Sequence, residues 1–322
     1  MTPPASRLRT WLQLFRAPNL FTVPGDPIAG YVLASFGALE PALLLAVIAS
    51  LCLYAAGLLD NDLADLAEDR AERPHRPLPS GAAQPVAVAI VALLLLAIGL
   101  VCAAAASITA LKVAAVLAIA IAFYNHWGKR IPIFGALNMG ACRGLSLLLG
   151  ATAAPHGELT ISLLARGRLD PLFVAILLVT LYIAAITHLA RYETKSQVPI
   201  DAKWLPISAL LFGMISFLRQ LPAPSFNGGL VGFLEQLTPT TFWSVFFLYA
   251  VAFVTCLQIT WKLATDPEAS IPPSIGQFIR LLLLLQAAFC VANASLTGTA
   301  AAMLLLILWP LSRAASKRFY AS

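Results

Sequence analysis

Charge is scarce in this chain. Asp, Glu, Lys and Arg make up 11% of its 322 residues, while 60% are hydrophobic. Soluble globular domains carry about a quarter charged residues, so that class is excluded. The five cysteines, Cys52, Cys102, Cys142, Cys256 and Cys290, sit inside apolar runs with no CxxC pairing. That argues against a zinc site or a disulfide framework and leaves them as small packing residues. Short alternating segments of the β-barrel type are missing. A cleavable leader is not expected either: Arg7, Arg9 and Arg16 precede an apolar stretch, but Pro18, Pro24 and Pro27 interrupt it and no small-residue cleavage site follows. There is no inverted repeat with paired broken segments, which speaks against an ordinary transporter.

What is present is a succession of apolar runs of about 18 residues or more, the mark of transmembrane helices. Spans are expected near 20–38, 42–60, 86–107, 109–125, 134–154, 171–190, 203–220, 241–262, 278–295 and 298–312. The last two could be one broken helix, because Asn293 to Gly298 interrupts the run. The fold class is therefore all-α, a polytopic bundle of nine to ten transmembrane helices in one domain over 1–322, with its core at about 10–312. Arg7, Arg9, Arg16, Arg70, Arg73, Arg76, Lys129, Arg130, Arg191, Lys195, Lys203, Lys262 and Arg280 fall on one side. Lys112, Arg166, Arg168 and Arg219 fall on or near the other. The positive-inside rule makes the first side cytoplasmic, and Arg313, Lys317 and Arg318 join it only if there are ten spans. The net charge of +6 thus reflects topology, and no nucleic-acid partner is expected. The long connections 61–85, 126–133 and 191–202 share the cytoplasmic face.

The exception to the scarcity of charge is Asn61-Asp62-Leu63-Ala64-Asp65-Leu66-Ala67-Glu68-Asp69, followed by Arg70 to Gly81. Ionisable residues beside a bilayer are costly and mark function. If the second span stays helical to Asp69, Asp62, Asp65 and Asp69 share one helix face at 100° per residue, with Asn61 beside them. Three carboxylates at a helix C-terminus repel each other and face the negative end of the dipole. Lysine, arginine or a divalent metal must offset them. An all-oxygen set suits Mg²⁺ or Ca²⁺, and Mg²⁺ completes its shell with water and substrate phosphates. Arg73, Arg76, Lys129 and Arg130 have the chemistry for phosphate oxygens.

These residues resemble the first motif of the UbiA superfamily of intramembrane prenyltransferases, of form NDxxDxxxD and followed by an RPLxSG-like turn. Here it stands as Asn61-Asp62-x-x-Asp65-x-x-x-Asp69, then Arg76-Pro77-Leu78-Pro79-Ser80-Gly81. Arg16-Ala17-Pro18-Asn19, Tyr124-Asn125-x-x-x-Lys129-Arg130, and Asn138 with Arg143 are also similar to family sequence. The resemblance implies a central cavity, a prenyl diphosphate bound through Mg²⁺, and a hydrophobic, aromatic or lipid-like acceptor. It implies that Asp62, Asp65 and Asp69 hold metal, that Asn61 supports them, and that Arg73, Arg76, Lys129 and Arg130 hold diphosphate. Tyr124 and Asn125 are expected to line the site or to pack. It implies an integral, multi-pass protein of the inner or plasma membrane with its active-site loops cytoplasmic.

The family's second aspartate motif, at the end of the sixth span, is replaced here by Ile186-Thr187-His188-Leu189-Ala190-Arg191-Tyr192-Glu193. This stretch is similar to the UbiA-like member of the bacterial ebo gene cluster. Glu193 is its one carboxylate and a candidate metal ligand. Arg191 is a candidate catalytic cation in place of part of the metal's charge, and His188 a candidate substrate contact. Arg143, costly in mid-span by roughly 2.5–3.5 kcal/mol, should face the cavity, as a salt bridge or a handle for an acidic acceptor. The competing expectation is a non-catalytic isoprenoid-binding or transport protein that keeps the diphosphate clamp.

Overall fold

The structure is a computed structural model and describes residues 7–35, 37–155, 157–165, 171–193, 198–221, 240–266 and 269–318. The helices are α1 (Arg7–Leu14), α2 (Ala17–Leu20), α3 (Gly25–Ser35), α4 (Pro41–Ala64), α5 (Leu66–Glu72), α6 (Pro85–Ala106), α7 (Ile108–His126), α8 (Pro132–Ala153), α9 (Gly157–Ala165), α10 (Pro171–Ala190), α11 (Ile200–Leu218), α12 (Thr240–Thr265), α13 (Ile271–Ala292) and α14 (Leu296–Arg318). Among the described residues nine are long and apolar enough to cross a membrane: α4, α6, α7, α8 and α10 to α14. Ile90, Leu93, Leu94, Val101, Ile119, Phe247 and Ile307 are exposed on them. An outward apolar surface on helices that satisfy their own backbone is what lipid requires. The chain is an integral multi-pass membrane protein.

The expected first span is not one helix. Pro18 and Pro24 each lack the N–H a continuous helix needs, and Arg16 adopts the left-handed conformation (φ 46°, ψ 54°) where α2 begins. The 11 residues of α3, at 1.5 Å each, cannot cross about 30 Å of hydrocarbon. The run at 278–312 proves to be two helices, broken at Asn293 to Ser295, where Ala294 is left-handed (φ 54°). Arg166, Arg168 and Lys195 of the charge asymmetry, and most of 221–240, lie outside the described residues.

Helices α8, α10 and α13 are the most enclosed of the spans. Helix α3 crosses α8 where a Cβ on Gly30 would meet the Leu147 carbonyl oxygen at 1.8 Å and one on Gly150 the Pro27 oxygen at 2.0 Å. Small residues at such crossings let backbones touch, which drives helix association in lipid. Phe289 stacks with Phe217 (5.0 Å) and Tyr249 (6.4 Å) to join α11, α12 and α13. The five cysteines are free, and Cys142, Cys256 and Cys290 are buried.

The broken N-terminal segment is tied down from the far end of the chain. Gln286 Nε2 donates to Thr22 O (3.0 Å) and Asp26 Oδ1 (2.6 Å). Asn293 Nδ2 donates to Val32 O. Thr297 Oγ1 donates to Gly37 O (3.2 Å), and Ser312 Oγ to Pro18 O (3.0 Å).

Candidate active site

Helix α4 stops at Ala64. Asp65 is the junction (φ −90°, ψ 0°), and α5 resumes at Leu66. The helical hydrogen bonds persist across it, from Asp65 N–H to Asn61 O (2.9 Å) and from Asp69 N–H to Asp65 O (2.8 Å). Two helices, α4 and α5, thus stand where one helix to Asp69 was considered, with the helical hydrogen bonding continued across Asp65.

Each carboxylate of the motif meets its own cation. Arg16 Nη2 reaches Asp62 Oδ1 at 3.3 Å. Lys129 Nζ pairs with Asp65 Oδ1, while Asn61 Nδ2 donates to Asp65 Oδ2 (3.1 Å). Arg76 Nη1 donates to both oxygens of buried Asp69 (3.1 and 2.9 Å), with Arg73 at 3.7 Å. The pairing answers the electrostatic problem at the C-terminus of α4, where carboxylates meet a negative dipole end. Among the described residues no three His, Cys, Asp or Glu side chains converge as a ready-made metal site. The donor chemistry still fits Mg²⁺, since Asp62, Asp65, Asp69 and Asn61 offer oxygen alone. Its entry would exchange carboxylate–cation pairs for carboxylate–metal ones and release Arg16, Lys129 and Arg76 toward an anion.

Part of this set reaches a cavity of about 280 Å³ between α4, α7 and α8, while Asp62, Asp69, Arg73 and Arg76 do not line it. Arg16, Asn61, Asp65 and Lys129 line one end. Ser50, fifteen residues or roughly 20 Å of helix before Asp65, lies at the other with Ser146, Cys142 and Arg143. The two serine hydroxyls are 2.7 Å apart. Val23, Leu58, Leu117, Ile121 and Met139 supply apolar wall, and Tyr54 and Tyr124 supply aromatic wall.

Asn125 and Arg143, each expected in one of two roles, are both here. Asn125 lines the cavity, but its amide donates to Gly57 O (3.0 Å) and Asp60 Oδ2 (2.7 Å), so it mainly fastens α7 to α4. Arg143 faces the cavity and is already occupied. Its Nη2 donates to Thr22 O (2.9 Å), and its Nε lies 2.8 Å from Asp26 Oδ2, close enough for an ion pair but out of line for a hydrogen bond. A paired arginine is a weaker handle for an acidic acceptor than a bare one.

The residues at the end of α10 separate. Arg191 lines a smaller cavity of about 190 Å³ with Thr187, Tyr124 and Lys129, and its Nη1 is buried with no hydrogen-bond partner. His188 packs edge-on against Tyr192 (5.7 Å) and lines neither cavity. Glu193 is exposed and lines neither, because α10 ends at Ala190 and the following turn leaves the helix face that carries Thr187. Arg130 is exposed in the 3₁₀ turn Gly128–Arg130 and lines neither. Not foreseen as site residues were Arg16, Ser50, Tyr54 and Asp26. Asp26 is fully buried, and the rule that singled out Arg143 applies equally to a carboxylate in the first apolar run.

A membrane-embedded helical bundle with an apolar cavity, closed at one end by carboxylates and cations, defines a class of intramembrane protein equipped for an anionic head on a hydrophobic body. The model of the UbiA prenyltransferase family matches residues 27–270, and the chain belongs to that family. It is 30% identical over 152 residues to the digeranylgeranylglyceryl phosphate synthase of Metallosphaera sedula, covering 47% of this chain and 54% of that one. The chain thus spans about half the length of the curated relatives it matches. Among solved structures, a UbiA homolog from Aeropyrum pernix K1 superposes with a TM-score of 0.62 at 16% identity, over 84% of this chain and 96% of that one. A UbiA homolog from Archaeoglobus fulgidus bound to DMAPP and Mg²⁺ does so with 0.60 at 14% identity, over 91% and 99%. At these identities the likeness shows the shared fold.

Proposed function

We propose that the chain, as one domain, is a Mg²⁺-dependent prenyltransferase that moves a prenyl group from a prenyl diphosphate to a hydrophobic, aromatic or lipid-like acceptor. The observation that carries this reading is the cavity itself: the Asp65–Lys129 pair with Arg16 and Asn61 at one end, apolar walls between, hydroxyls at the other. The ligand-bound Archaeoglobus homolog supports it. Asp62, Asp65 and Asp69 with Asn61 would hold Mg²⁺. Bound there, the metal supplies positive charge to the leaving diphosphate. Arg16, Arg76 and Lys129 hold phosphate oxygens, and Arg191 with its unpaired Nη1 adds a further donor beside Lys129. The prenyl C–O bond breaks with its electron pair going to the diphosphate, and the acceptor forms the new bond to the same carbon and loses a proton. Val23, Leu58, Leu117 and Met139 keep water from the allylic carbon meanwhile. The positive-inside pattern puts the charged end on the cytoplasmic side of the inner or plasma membrane.

One observation favours the second reading, a non-catalytic isoprenoid binder: the carboxylate nearest the missing second motif, Glu193, is exposed and away from both cavities. The two readings part in a single experiment. Purified protein in lipid nanodiscs is given geranylgeranyl diphosphate and an acceptor panel, with Mg²⁺ or with EDTA. Mg²⁺-dependent diphosphate release that Asp65→Asn abolishes is the expected result. Binding without release across the panel would favour the binder, and absence of binding would remove both.

A further inference from the structure

A cavity of about 280 Å³ is at the small end of ligand sites, which run about 300–1,000 Å³. With a diphosphate at Lys129 and an acceptor near Ser50, it has room for only the first part of a prenyl chain. A longer tail has to leave. Gly57 of α4 and Ile121 of α7 form part of the wall between the two ends. The same two residues line a second hollow of about 160 Å³, on the far side of the α4–α7 contact, with Leu53, Leu93, Leu96 and Ala118. Leu93 is 66% exposed, so this hollow opens toward lipid. The partition is one side chain thick. A Cβ on Gly57 would lie 2.6 Å from Ile121 Cγ2, so Ile121 rests directly on the glycine backbone.

We infer that Ile121 is the chain-length gate of this protein. The tail of the bound prenyl diphosphate passes over Gly57 into the hollow between α4, α6 and α7 when Ile121 swings aside, and bulk at this position sets the longest chain accepted. The occupant is the tail of a diphosphate seated in the cavity, not a phospholipid. A phospholipid there would bring its phosphate against Asp60, which lines the polar end of the hollow with His126 at 3.2 Å. A tail arriving through the wall brings no charge. This inference rests on reading the cavity as a prenyl diphosphate site.

The test is competitive binding of dimethylallyl, geranyl, farnesyl and geranylgeranyl diphosphates to the full chain in nanodiscs with Mg²⁺. Ile121→Trp thickens the partition. Ala122→Trp fills the hollow from the lipid side, at a residue that lines the hollow and not the cavity, and so remains informative if Ile121→Trp misfolds. Ile121→Ala opens the partition. Overpacking of this kind should weaken farnesyl and geranylgeranyl binding by about tenfold or more in both tryptophan variants, and Ala122→Trp, which lies outside the cavity, should leave dimethylallyl binding within about twofold. Ile121→Ala should keep or tighten the long chains. Unchanged long-chain affinity in both tryptophan variants overturns the gate, as does an equal loss at every length in Ala122→Trp. If the unaltered protein binds none of the four, the prenyl diphosphate reading itself has failed, and the gate falls with it.

Discussion

Asp26 and Arg143 are the sharpest test of how this bundle is held together. Asp26 is fully buried and Arg143 is 8% exposed, with Nε and Oδ2 2.8 Å apart. Removing one member of a buried pair leaves an uncompensated charge and costs about 3–5 kcal/mol, whereas removing both is often close to neutral. Asp26→Asn keeps the shape and an oxygen to accept from Gln286, so its cost isolates the lost charge. Arg143→Met removes a donor to Thr22 O, which Gln286 still satisfies, so its cost isolates the stranded carboxylate. Each single variant should lose about 3 kcal/mol or more. The double variant should lose only about 1–3 kcal/mol, the cost of the new buried amide. The assay is reversible unfolding by SDS in mixed micelles, followed by tryptophan fluorescence. Independent sites add to within about 0.5 kcal/mol. A double variant whose loss equals the sum of the singles within that margin would refute the pairing argument.

Three further outcomes follow from the cavity's charged end. Lys129→Met removes the cation that competes for Asp65, so Mg²⁺ alone should bind more tightly while prenyl diphosphate binds about tenfold more weakly, a charge-assisted bond being worth about 1.5–3 kcal/mol; titration calorimetry with each ligand reads the split, and two losses together would contradict it. Arg16→Gly relieves a left-handed backbone worth about 1–2 kcal/mol and deletes the Asp62 partner, so thermal stability should hold or rise as diphosphate affinity falls; parallel losses would mean that Arg16 is structural only. Glu193→Gln should leave Mg²⁺-dependent diphosphate binding unchanged, and Arg191→Met should weaken it by about tenfold. The reverse order, read by the same calorimetry, would restore Glu193 as a metal ligand.

Local patterns carried much of this. Apolar run length located the nine long helices, since each span must fill the hydrocarbon thickness by itself. The Asp62-to-Asp69 spacing pointed to the charged cluster beside the cavity, because neighbours on one helix turn are neighbours in space, though of its three aspartates only Asp65 lines the cavity. What helical periodicity does not encode is the partner on another helix. Lys129 meets Asp65 across 64 residues, and Gln286 meets Asp26 across 260. Asp26 stayed hidden because one carboxylate barely lowers the hydropathy of its run. Glu193 misled because it follows Thr187 by six residues, while the helix that would set its direction ends at Ala190. The thin partition at Ile121 was out of reach for the same reason: it depends on which face of α7 touches Gly57.

The anchors of the N-terminal segment also impose an order in time. Thr22 O, Asp26, Val32 O, Gly37 O and Pro18 O leave the ribosome 260 to 294 residues ahead of Gln286, Asn293, Thr297 and Ser312, the side chains that bond them. A buried polar group without a partner costs several kcal/mol in hydrocarbon. Arg143 of α8 reaches Thr22 O and Asp26 earlier, but the bonds to Val32 O, Gly37 O and Pro18 O come only with Asn293, Thr297 and Ser312. The segment that carries Arg16 is fully fastened only then, through Ser312 to Pro18 O, so a chain cut short before α13 would carry the whole Asp62-to-Asp69 motif without the anchors that hold Arg16 beside it.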